Sequence, residues 1–152
     1  MNIRPMNIND LPEVIDIFSK YQLNADRVKK HIGNFMKKIG HFMFNPDMNA
    51  CVVAEKQDNV VGYIVAGAFL EDEINKCPYQ DSHEWVNLNF MAVNKELAPK
   101  GTGSKLLEYF YQYCSSKGFK SIHVGTWGNT QNFYTKNGFQ VTTVYLRKDL
   151  AE

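Results

Sequence analysis

Residues 98–114 read "APKGTGSKLLEYFYQYC". Gly101 and Gly103 stand between the apolar run "NLNFMAV" at residues 87–93 and an amphipathic stretch. The pattern predicts a strand over 85–93, a glycine turn, and a helix over 104–117. Leu106, Leu107, Phe110, Tyr113 and Cys114 mark its apolar stripe, and Gly118 sits where a helix C-terminal glycine belongs. Such a junction suits an anion. The first turn of a helix has backbone N–H groups without intrahelical partners and the positive end of the dipole. Glycine lets the main chain approach an oxyanion with no Cβ in the way. Lys100 and Lys105 flank the turn and add charge. Two nucleotide motifs fail on spacing. A P-loop needs a lysine directly after its last glycine, but Gly103 is followed by Ser104. A dinucleotide fingerprint needs a third glycine where Leu106 stands.

Outward from this junction the chain alternates in texture. "NIRPM" at residues 2–6 reads as a strand. Asn9 or Asp10 can cap the helix that follows, with Pro12 in its first turn and Leu11, Val14, Ile15 and Phe18 at helical spacing. A second helix is expected over 27–39, with Val28, Ile32, Phe35, Met36 and Ile39 on one side. "ACVVAEK" and "VVGYIVAGAFLE", separated by "QDN", read as a hairpin. Strand "KSIHVGTW", a short helix in "NTQNFYTKNGF" ending at Gly138, and a last strand "FQVTTVYLRKDL" complete the order. The fold class is α/β (α+β), with a mixed, mostly antiparallel sheet and flanking helices.

The 152 residues suit one domain, 1–152, and 44% apolar content suits a packed core. A net charge of +1 gives no bulk reason to expect nucleic acid or a membrane surface. No apolar run approaches the roughly 20 residues of a membrane span. The first residues lack the pattern of a secretory signal. Cys51, Cys77 and Cys114 are odd in number and widely spaced, and the four histidines lack metal-ligand spacing. A cytoplasmic protein with no metal is expected.

The motifs together resemble the GNAT family of acyl-CoA N-acyltransferases. That family carries Q/R-x-x-G-x-G/A between its fourth strand and third helix, and residues 98–103 match it. "FYTKNGF" at residues 133–139 is similar to a second family motif, F-Y-x-K-x-G-F. "IRPMNINDLPEVIDIF" and "NVVGYIVAG" resemble the first strand and helix and the third strand. The resemblance spans nearly the whole chain. Two departures stand out. Ala98 replaces the glutamine or arginine that opens the motif, and Pro99 replaces a common glycine and has no N–H to donate.

The resemblance implies acetyl-CoA as co-substrate and an amine as acceptor. Ala98, Lys100, Gly101, Thr102, Gly103 and Ser104 would border the pyrophosphate. Met91, Ala92 and Val93 would align the pantetheine arm and thioester, and Asn129 would add a cofactor contact. Tyr134 would donate to the leaving thiolate, as a phenol can. The base stays open. Family members with a glutamate on the fourth strand have it where Asn87 stands, so Glu84, Glu71 and His123 are the candidates, with Glu84 placed first. The acids Glu71, Asp72, Glu73, Asp81 and Glu84, against Lys76, favour a cationic small molecule or a peptide amine if that segment borders the acceptor. A coenzyme A sensor without turnover, or an interaction protein, is the alternative. The last strand leaves a homodimer open.

Overall fold

The computed structural model describes residues 1–21, 25–68, 84–126, 130–142, 146 and 148–150. Five strands form one sheet in chain order: β1 (Asn2–Pro5), β2 (Val52–Lys56), β3 (Asn59–Ala68), β4 (Trp85–Val93) and β5 (Ser121–Val124). The first three pairings are antiparallel and β4–β5 is parallel. The parallel pair requires a crossover, which helix α3 (Thr102–Ser116) supplies. Helices α1 (Leu11–Tyr21) and α2 (Ala25–Phe44) lie between β1 and β2 in the chain, and α4 (Thr130–Lys136) follows β5. Among the described residues no helix is long and apolar enough to cross a membrane.

The sheet separates two cores. Val14, Ile17 and Phe18 of α1 and Phe35, Ile39 and Phe42 of α2 pack on Val53, Tyr63 and Val65. Phe18 and Phe35 stack at 4.1 Å, and Phe90 meets both edge-on. On the opposite face Leu106, Leu107, Phe110 and Cys114 of α3 pack on Val52, Ile64, Val86 and Leu88. Both faces of β2 and β3 are therefore covered, which explains their nearly unbroken apolar sequences.

Helix α2 exceeds its expected bounds and runs through Gly33 and Gly40 to Phe44. The seam of Phe35, Ile39 and Phe42, each at most 1% exposed, outweighs a glycine penalty of about 1 kcal/mol per site. Met36, expected on that seam, is 45% exposed. The hairpin turn is tighter than expected. Gln57 and Asp58, at φ 51° and 62°, make a two-residue turn of the mirror-image type that suits strand twist, without a glycine.

The expected last strand is not found among the described residues of 139–150. Val141, Leu146 and Leu150 are 55%, 91% and 84% exposed. Strand propensity has effect only where a neighbouring strand or face receives the residues. Residues 143–145 and 147 of that stretch lie outside the described set.

The start of the chain differs from expectation too. Asn7, rather than Asn9 or Asp10, caps the short 3-10 turn Ile8–Asp10 that leads into α1. The Asp10 carboxylate accepts the Asn7 N–H at 2.8 Å and a bidentate pair of bonds from Arg4 at 2.8 Å each. Arg4 also donates to Glu55, joining β1, β2 and the start of α1. Burial pushes the Asp10 pKa up. The Arg4 hydrogen bonds, the Asn7 N–H and the Arg4 charge more than offset this, so the net shift is downward. A lowered folded pKa stabilises the native state above the unfolded value near 4, and that contribution is lost as pH falls through the folded value. Asp10→Asn is expected to cost about 2 kcal/mol at pH 7. The gap from wild type should close below about pH 4, as read by urea unfolding across pH.

Candidate functional site

Strands β4 and β5 pair from Trp85↔Ser121 to Leu88↔Val124, and there the register ends. Strand β4 continues to Val93 beside β3, with Gly62↔Val93 as the last pair. The Asn94 N–H then donates to the Val61 carbonyl at 2.8 Å. Main-chain groups alternate sides along a strand. The N–H and C=O of Val93 and Met91 therefore point away from β3, to the side where β5 has stopped.

A register shift lies within β4. Val65 pairs with Phe90 but Ala66 pairs with Leu88, so Asn89 is an extra residue. The bulge resets the alternation. Val86 and Leu88 before it, and Met91 and Val93 after it, all join the α3 core, while Phe90 and Ala92 join the other.

The β4–α3 connection is held by its own groups. Asn94 Oδ1 accepts the N–H groups of Glu96 and Leu97 and the Tyr21 hydroxyl. The Ala98 N–H donates to the Asn94 carbonyl. The buried Thr102 turns its hydroxyl to the Pro99 carbonyl at 2.6 Å, so only its backbone faces the junction. Gly101 is the helix N-cap at φ +85°, a left-handed conformation that favours glycine, and no side chain caps the helix among the described residues. The Thr102 and Lys105 amides bond to the Pro99 and Gly101 carbonyls. Among the described residues no acceptor meets the amides of Gly103 and Ser104. Lys100, Ser104 and Lys105 are exposed beside them.

Helix α4 covers this junction. A Cβ built on Gly103 would lie 3.2 Å from Phe133 Cζ and 3.5 Å from Met91 Cε. Tyr134, next in the chain, aims its hydroxyl at Met91 Sδ, 4.0 Å away. Phe133 and Phe139 hold the Tyr134 ring edge-on at 5.2 and 5.3 Å. The Tyr111 hydroxyl donates to the Asn137 carbonyl at 2.5 Å, and the Asn137 amide donates to the Phe133 carbonyl, tying α4 to α3. Burial, with a smaller effect from Tyr111, pushes the Tyr134 pKa up to about 12. Its phenol keeps its proton throughout the neutral range.

The structure thus brings Met91, Gly103 and Tyr134 together, with Val93, Ala98, Lys100, Gly101 and Ser104 along one margin. Glu84 is not among them. It is exposed, ion-paired with Lys120 at 2.7 Å, and precedes the first residue of β4. At about 3.3 Å per residue it lies roughly 20 Å from Met91. Glu71 and Asn129 lie outside the described residues. His123 is nearer, pairing across the sheet with Asn87. Its ring stacks on Trp85 at 4.4 Å, and its Nε2 is 3.2 Å from Ser121 Oγ. Burial lowers its pKa, so the imidazole is neutral at pH 7. Burial also pushes the Cys51 and Cys114 thiols up to about 12, which excludes them as ready nucleophiles. Among the described residues no cluster of His, Cys, Asp and Glu could hold a metal ion.

Sequence reasoning missed Lys38 and Asn89. The buried Lys38 of α2 donates to Asn89 Oδ1 at 2.9 Å. A polar residue inside the apolar run of β4 was the signal for Asn89. Lys38 sits in an ordinary-looking "KK" pair and had none.

Residues 47–141 match the family model described as the acetyltransferase (GNAT) domain. The chain belongs to the GNAT acetyltransferase family. None of the curated proteins compared matches it. Solved structures share the GNAT fold at low identity. The glucosamine-6-phosphate N-acetyltransferase of Arabidopsis thaliana is 15% identical, with TM-score 0.63, covering 99% of this chain and 98% of that one. A transcriptional regulator from Bacillus halodurans C-125 is 16% identical, with TM-score 0.70, covering 98% and 99%. The aminoglycoside N-acetyltransferase AAC(6′)-Iy in complex with CoA is 17% identical, with TM-score 0.62, covering 98% and 100%. The expected GNAT fold class, a mostly antiparallel mixed sheet flanked by helices, is the one observed.

Proposed function

We propose that this protein transfers an acetyl group from acetyl-CoA to a primary amine by direct attack in a ternary complex. The observation that carries this reading is the divergence of β4 from β5 after Leu88, ending at a helix start whose Gly103 and Ser104 amides meet no acceptor among the described residues. Those amides, the helix dipole and Lys100 suit the pyrophosphate. The edge of β4 at Met91 and Val93 suits the pantetheine amides, and an N–H there would polarise the thioester carbonyl. The amine nitrogen forms the new C–N bond, the C–S bond breaks, and the sulfur leaves with the electron pair. Tyr134 donates a hydrogen bond to that sulfur. A phenol near 12 facing a thiol of ordinary acidity makes complete proton transfer uphill by roughly 5 kcal/mol. Tyr134 therefore lowers the barrier mainly as a donor, and the thiolate takes its proton from solvent. The neutral His123 is the best-placed described group to receive the amine's proton.

One observation favours binding without turnover. Among the described residues no carboxylate borders the divergence. The first test is the melting temperature with and without acetyl-CoA. At about a hundred times its Kd the ligand stabilises by roughly 2.7 kcal/mol, a rise of about 5–10 °C. No rise sinks both readings. A rise with no thiol release for any amine offered favours the sensor. For turnover, Tyr134→Phe is expected to lower kcat roughly 100-fold with the acetyl-CoA Kd nearly unchanged. A full rate in that variant would remove Tyr134 from the mechanism.

A further inference from the structure

Strand β4 passes between two helical layers, and one charged side chain reaches it from the α2 side. Lys38 is 7% exposed, on a helix whose Phe35, Ile39 and Phe42 are core residues. Its Nζ donates to Asn89 Oδ1 at 2.9 Å, and Asn87 Nδ2 donates to the same oxygen at 3.0 Å. An ammonium can only donate, so it dictates which end of the Asn89 amide carries oxygen. The amide NH2 must then turn the other way, and it donates to the Asn87 carbonyl at 3.1 Å. The amide of the extra residue thus closes back on the strand one position before Leu88, where β5 departs.

A buried ammonium is an expensive way to fill that space. An apolar side chain of similar length avoids the desolvation, and such replacements are often neutral or stabilising. What the Lys38 bond adds beyond filling space is a fixed orientation of Asn89.

We infer that Lys38 is a positioning residue for the thioester edge: through Asn89 it pins the β4 bulge and so sets the register in which Met91 and Val93 meet the pantetheine arm. The cofactor half of this inference rests on the function proposed above, whereas the pinning of the bulge does not.

The experiment compares wild type with Lys38→Met and Asn89→Asp. The second variant keeps an acceptor for the ammonium but removes the donor to the Asn87 carbonyl, so the buried charge stays paired. In the ligand-free proteins, the backbone amide resonances of Phe90, Met91, Ala92 and Val93 are expected to move in both variants, while those of α1 stay put. The Kd of coenzyme A should rise roughly tenfold, about what one hydrogen bond to a charged group contributes. A nucleotide fragment of coenzyme A lacking the pantetheine arm should bind both variants as it binds wild type. Unmoved Phe90–Val93 amides overturn the inference, as does an equal loss for coenzyme A and the fragment. If wild type binds neither ligand, the cofactor reading fails instead, and the ligand-free spectra alone decide whether Lys38 pins the bulge.

Discussion

Gly67→Ala is expected to destabilise the protein by roughly 3 kcal/mol or more, the upper range for forcing extra volume into a packed core. A Cβ at Gly67 would lie 2.3 Å from Phe42 Cε1 and 2.4 Å from the Met48 carbonyl oxygen. Neither neighbour can yield cheaply. Phe42 is fully buried in the α1–α2 core, and the Met48 oxygen belongs to main chain beside the Asn49↔Gly67 bridge. The strand must move away from the segment at residues 46–49, which weakens the α2–sheet contact as a unit. The melting temperature should fall by about 6–12 °C. Gly33→Ala is the control. It is exposed on α2 with nothing within 4 Å of its Cβ position, and should stabilise by up to about 1 kcal/mol. Equal stability of Gly67→Ala and wild type in urea unfolding would mean that Phe42 and β3 are not in contact as described.

Gly103→Val is expected to abolish the stabilisation by acetyl-CoA while leaving most of the ligand-free stability. A single Cβ already approaches Phe133 within 3.2 Å. Branched methyl groups reach further, displace Phe133, and take with it the adjacent Tyr134. They also stand over the Gly103 and Ser104 amides that would receive the pyrophosphate. Wild type at a hundredfold excess over Kd gains roughly 2.7 kcal/mol, and the variant should gain almost nothing. A wild-type rise in melting temperature for Gly103→Val would show that the cofactor binds elsewhere. Gly101 is sensitive for another reason. Nothing lies near its Cβ position, but φ +85° strains any side chain by about 1–2 kcal/mol.

The stretch around Gly101 was legible because each signal is local. An apolar run, a glycine turn and a 3.6-residue stripe fall within residues 85–116, and strand β4 and helix α3 match them closely. What depended on distant parts of the chain was not legible. The glycines of α2 marked a boundary that the seam through Phe42 overrides. Residues 139–150 had strand composition, but its use depends on a partner that local pattern does not reveal. At the candidate site, Gly103, Met91 and Tyr134 were found through motifs, and they converge. Glu84 stands first in the sequence as the carboxylate nearest Asn87, at the start of the same strand. A strand is extended, so a few residues along β4 carry a side chain most of the way across the sheet. Lys38 could not be found from sequence, because its role exists only where α2 crosses Asn89.

The extra residue in β4 gives that strand a reading frame. Upstream of Asn89 the even-numbered residues Val86 and Leu88 face α3; downstream the odd-numbered Met91 and Val93 do. Regular pairing through Asn89, with the bulge lost but the residue kept, would shift every later letter, sending Phe90 and Ala92 toward α3 and Met91 and Val93 toward α2. The hydrophobic count would be unchanged, yet the message delivered at the glycine junction would be a different one.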